Sequence, residues 1–218
     1  MGRSPSYGFH DRYVNNRILE CLSRPQYDAS CGLTSLTCVV NFLWSQKLGI
    51  ITQEQLAREL GFQARSSGVE EPGNDIILKW FRKFRAKNGL RGSEDIYLDR
   101  SSFPPINSTN YENMYADIKS MVRSKNTILI HHTDYHYNII CGYFDAAEKP
   151  MEAYMENTPV KRWLLLAEQL DISDEGKEEN PIDAIRLGDL KRAVKDKAYG
   201  VLRFSNKGEK LDWVPRHA

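Results

Sequence analysis

The chain has 218 residues, of which 41% are hydrophobic and 27% charged, with a formal net charge of +1. That composition suits a globular chain able to bury one sizeable core, here expected to be a single domain over residues 1–218. It offers neither the roughly eighteen apolar residues in a row that a bilayer span needs nor the charge excess that draws a protein to nucleic acid or acidic lipid.

The start lacks the apolar stretch of a secretory signal. Gly2 followed by Ser6 meets the loose myristoylation pattern, but Pro5 interrupts it, so no membrane partner is expected. Four cysteines, Cys21, Cys31, Cys38 and Cys141, are too scattered for a disulfide framework and include no Cys-x-x-Cys pair. A reducing compartment, cytosol or nucleus, is the natural location.

Residues 1–20 read as a loosely packed polar lead-in. From Cys31 to about Lys47, Leu33, Leu36, Val40, Leu43 and Trp44 recur at helical spacing. Thr52-Gln53-Glu54-Gln55 forms a capping box for a second helix, and Gly61 stops it. After a loop over 64–74, Asn74 or Asp75 caps a third helix from Ile76 to about Lys87, whose inward face is Ile77, Trp80, Phe81 and Phe84. A Ser-, Pro- and Asn-rich loop covers roughly 99–110, and Tyr111, Tyr115, Ile118 and Val122 mark a fourth helix.

The period then changes. Thr127–His131, His136–Phe144 and Glu152–Met155 read as strands, with Asp145–Pro150 as a hairpin turn. Residues 160–170 look helical, 173–181 form an acidic loop, Leu190–Lys197 make a short helix, Tyr199–Phe204 make a last strand, and 205–218 are a tail. Helices first and antiparallel strands second is an α+β order.

Cys31 carries the chemistry. At the start of an apolar helix it sits among unpaired backbone N–H groups and at the positive end of the macrodipole, where a thiolate is favoured. A cysteine nucleophile needs a base, and His131, His132 and His136 are the candidates. His136 opens a central-strand pattern, His136-Tyr137-Asn138-Ile139-Ile140-Cys141-Gly142-Tyr143, which would hold its imidazole on a rigid strand end. Glu156 or Asn157, on the strand expected next, would orient that imidazole if the two strands pair antiparallel. Gln26, five residues before Cys31, would add a side-chain N–H to the oxyanion site.

Other histidine readings are weaker. His131 and His132 are neighbours, so a strand points them to opposite faces. No ligand spacing among His131, His132, Asp134 and His136 completes a metal site, and no metal or cofactor is expected. Cys38 and Cys141 fall at core positions.

Glutamine, then Cys-Gly opening an apolar helix, then histidine on a strand ending in Gly-Tyr resembles the papain-like cysteine peptidases, in particular their compact C39-like branch. The stretch Leu22-Ser23-Arg24-Pro25-Gln26-Tyr27-Asp28-Ala29-Ser30-Cys31-Gly32 is more specifically similar to the basic immunoglobulin-like variable motif-containing family. Thr52-Gln53-Glu54, Leu60-Gly61-Phe62, Trp80-Phe81-Arg82 and His136-Tyr137 add to that likeness. The resemblance implies an α+β papain-like fold, with N-terminal helices packed on an antiparallel sheet. It also implies a Cys31–His136 pair completed by Glu156 or Asn157, acting on a protein or peptide substrate. The family name refers to a short sequence motif, and the helical N-terminal half argues against an immunoglobulin sandwich. A catalytically inactive binding module that keeps the cleft is the alternative.

Overall fold

Alternation of apolar residues in the second half of the chain organises the molecule, because it builds a sheet with two buried faces. The computed structural model describes residues 11–22, 30–62, 73–99, 101–106, 108–133, 136–152, 155, 159–167, 182–190 and 200–206. Seven strands lie in one sheet: β1 (Arg12–Val14), β2 (Ser93–Leu98), β3 (Thr127–Thr133), β4 (His136–Ala147), β5 (Val160–Ala167), β6 (Ile182–Arg186) and β7 (Gly200–Ser205). Their order is β2-β7-β3-β4-β5-β6, every pairing is antiparallel, and β1 pairs with the second half of β4.

Helices cover both faces. Ile128, Ile130, Tyr137, Ile139, Cys141, Leu202 and Phe204 face α1 (Asn16–Glu20), α2 (Cys31–Leu48), α3 (Gln53–Leu60) and α4 (Asn74–Lys87). The intervening residues Leu129, Ile140, Tyr143 and Val201 pack with α5 (Thr109–Arg123) on the other side. The architecture is α+β, with no second sheet packed on the first among the described residues.

Helix α2 lies at the centre of the first layer. From Cys31 to Trp44 all its residues but Leu33 are buried, so it is packed between the sheet and α1, α3 and α4. Gly49 (φ 77°) ends it. The capping box on α3 forms as expected: Gln55 N–H donates to Thr52 Oγ1, and Thr52 N–H to Gln55 Oε1. The cap of α4 is Gly73, one residue earlier than expected, with Asn74 already inside the helix.

Several expectations are corrected. Residues 160–167, expected helical, are strand β5, held between β4 and β6 with Leu164, Leu166 and Ala167 buried. Of the strand expected at 152–155, Glu152 instead ends a short 3-10 turn, Pro150–Glu152, and residues 153 and 154 lie outside the described residues. The turn expected at Asp145 starts later, because β4 runs on to Ala147 opposite Val160. Strand β2 was not anticipated; its Glu94 and Asp95 pair with Arg82, Arg85 and Arg203. The last strand sits mid-sheet, between β2 and β3.

Residues 11–22, expected to be loose, are built in. Asn15 donates its backbone N–H to the Cys141 carbonyl and its side-chain amide to the Val122 carbonyl, each at 2.8 Å. Asp11 meets Lys119 and Arg123 at 2.9 Å, and Ile18 is fully buried. Ile18→Ala should therefore lower unfolding free energy by about 2–5 kcal/mol in urea titrations. An unchanged midpoint would show that this segment is no part of the core.

Candidate functional site

Cys31 is the first residue of α2. The first intrahelical bond runs from Thr34 N–H to the Ser30 carbonyl at 2.9 Å, so the helix itself does not use the amides of residues 31–33. Thr34 Oγ1 lies 3.0 Å from the side-chain amide oxygen of buried Gln53 on α3. The Cys31 side chain is buried with the core under this helix face.

The path of α2 across the sheet follows from two bonds. Ser35 Oγ donates to the Tyr137 carbonyl at 2.9 Å. Further along, Cys38 Sγ approaches the Ile18 carbonyl at 3.8 Å, beside the segment that Asn15 ties to Cys141. The helix therefore runs from the start of β4 towards its middle. One turn back from Ser35 is about 6 Å of helix, the length of roughly two strand residues. That step carries Cys31 towards the end of the sheet at which β4 begins. The ladder between β4 and β5 ends at Ile139 and Ala167 among the described residues.

The pleat sorts the three histidines. Tyr137 faces α2 and α4, and so does its cross-strand neighbour His132, with the two rings stacked 3.8 Å apart. His132 Nδ1 is 2.8 Å from Asn74 Oδ1, and Tyr137 OH donates to the same oxygen at 3.4 Å. His131, His136 and Asn138 alternate to the side of α5. His136, the first residue of its strand, is half-buried at the rim of the sheet. His131 is fully buried, and neither of its ring nitrogens has a hydrogen-bond partner among the described residues. Burial above all, with the nearby His132 and His136, pushes its pKa down to about 4.

Burial drives the other three thiols towards the neutral form: Cys21 up to about 11, Cys141 up to about 12 and Cys38 well above the ordinary range. None of the four cysteines is in a disulfide. Cys38 and Cys141 are core residues, as expected.

Gln26, Glu156 and Asn157 lie outside the described residues. The strand that was to carry Glu156 or Asn157 back towards His136 begins only at Val160, which pairs with Ala147 at the far end of β4. The end of β5 near His136 is Ala167, opposite Ile139. The buried Asn74–His132–Tyr137 cluster escaped the sequence reading; Asn74 is 58 residues from His132 and looked like an ordinary helix cap.

Cys31 is thus buried at the start of α2, and the Ser35–Tyr137 bond ties that end of the helix to the start of β4 on an α+β scaffold. The family model of the basic immunoglobulin-like variable motif-containing protein matches residues 10–203, and the chain belongs to that family. The Xenopus tropicalis protein of that name is 30% identical over 158 residues, 68% of this chain and 32% of the relative. The Homo sapiens protein is 29% identical over 159 residues, with the same coverage. The Giardia intestinalis protein is 23% identical over 155 residues, 64% of this chain and 54% of the relative. The chain thus spans about a third of the vertebrate relatives it matches.

The buried neutral His131 has a measurable consequence. Its folded pKa of about 4 lies below the ordinary 6.5, so the unfolded chain takes up the proton first. The stability that depends on a neutral His131 is present above pH 6.5 and lost as pH falls towards 4, by up to about 3 kcal/mol. Urea titrations at a series of pH values should show this fall, and His131→Leu should flatten it.

Proposed function

We propose that this chain is a cysteine-nucleophile hydrolase or acyl transferase of papain-like type, acting on a peptide or amide bond. The observation that carries the reading is the Ser35–Tyr137 hydrogen bond, which sets the N-terminus of α2 against the start of β4. In the proposed reaction the Cys31 thiolate attacks the carbonyl carbon and the developing oxyanion lies by the N–H groups that open α2. His136 then protonates the leaving amine, and water or an amine releases the acyl group. The pleat requires the His136 imidazole to reach Cys31 around the end of β4. Gln26 would add a second oxyanion donor.

The orienting group is open between Glu156 and Asn157, and the register adds a third candidate. β5 ends at Ala167, and Glu168 follows it in the sequence. Glu156→Gln, Asn157→Ala and Glu168→Gln separate them, since only loss of the true partner should move the pH profile of Cys31 alkylation. Cysteines outside any disulfide agree with a cytosolic or nuclear setting.

One observation favours a non-catalytic binding module instead: Cys31 is only 3% exposed. Thiol chemistry decides. Near neutral pH, iodoacetamide should modify Cys31 well ahead of Cys21, Cys38 and Cys141, and His136→Ala should slow it by about tenfold or more. Labelling of Cys31 no faster than Cys38 would falsify the nucleophile reading.

A further inference from the structure

Residue 137 is held from two directions at once. Its side chain lies flat on His132, with rings 3.8 Å apart and 10° from parallel. Its hydroxyl and His132 Nδ1 both meet Asn74 Oδ1, at 3.4 and 2.8 Å. An amide oxygen only accepts, so His132 carries its proton on Nδ1, and Asn74 fixes the tautomer and the ring plane together. The backbone carbonyl of the same Tyr137 accepts from Ser35 Oγ at 2.9 Å. Asn74, Ser35, His132 and Tyr137 are all buried.

These bonds join four elements at one residue: α4 through Asn74, β3 through His132, β4 through Tyr137 itself, and α2 through Ser35. His136 precedes the clamped residue in the chain, and Cys31 lies one helical turn from the clamping serine. We propose that Asn74, His132 and Tyr137, coupled through Ser35 to α2, form a positioning unit that sets where His136 stands relative to Cys31. The inference rests on the cysteine-nucleophile reading and extends it to residues that the proposed reaction does not itself use. The polar character of the cluster suits that role, because directional bonds fix a register that apolar packing would leave free to slide.

The test measures the rate of Cys31 alkylation by iodoacetamide across a pH series, by mass spectrometry of the Cys31 peptide. Cys38 labelling in the same samples serves as the gauge of an intact core. The variants are Ser35→Ala, Tyr137→Phe and Asn74→Ala, with His136→Ala as reference. The expected result is a roughly tenfold slower reaction of Cys31 at neutral pH and a profile displaced to higher pH, while Cys38 stays protected. Should Asn74→Ala fail to fold, Ser35→Ala and Tyr137→Phe carry the comparison, since each removes only a hydroxyl. If His136→Ala slows Cys31 but these variants keep the wild-type rate and profile, the positioning unit is refuted and the nucleophile stands. If wild-type Cys31 reacts no faster than Cys38, the underlying reading fails and the inference goes with it.

Discussion

A serine hydroxyl donating to one strand carbonyl decides where the central helix of this protein lies. The Ser35–Tyr137 bond is worth only about 1 kcal/mol net, yet both groups are buried and either would be costly to leave unpaired. It lies just beyond Ile139, the last residue of β4 paired with β5 among the described residues. Around it the interior changes character. Thr34, Ser35, Gln53, Asn74 and His132 are buried on the α2 side towards this end, whereas Phe42, Leu43 and Trp44 fill the other. Buried polar side chains need partners to persist, which is why the Ser35–Tyr137, Thr34–Gln53 and Asn74–His132 bonds matter here.

Much of the helical layer was legible in the sequence. The α3 capping box, the stop at Gly61 and the apolar spacing of α2 and α5 are local signals, and local signals survive folding. β3 and β4 were legible too, since their alternation is dictated by two buried faces. β5 was not. Leu164-Leu165-Leu166 has no period of two and a high helix propensity, and only pairing on both sides makes it a strand. β2 was hidden because Glu94 and Asp95 look like loop residues until the arginines that neutralise them are known.

The misread strand also explains the least secure part of the site. Expecting a strand at 152–155 set Glu156 and Asn157 on a partner of β4, whereas the described partner β5 begins at Val160 and both residues lie outside the described residues. That Cys31 opens a helix and His136 a strand was legible, because the ends of regular elements can be read from pattern. Asn74 and His132 were not, because their meeting depends on how α4 packs on β3, a tertiary fact with no local trace. The family name misleads in a similar way. A variable-domain motif suggests two packed sheets, whereas the described strands form one sheet with helices on both sides.

The placement of β7 has a consequence for biosynthesis. This strand comes last of the seven yet lies between β2 and β3, and a Cβ on its Gly200 would run into the Leu98 carbonyl of β2. Until β7 has left the ribosome, β2 lacks the one neighbour it has among the described strands and β3 lacks its partner on that side, so a nascent chain cannot close this sheet from the N-terminus onwards. Maturation is in effect gated by the last strand. Cys31, made early, gains Leu202 and Phe204 as members of its core cluster only after β7 has emerged.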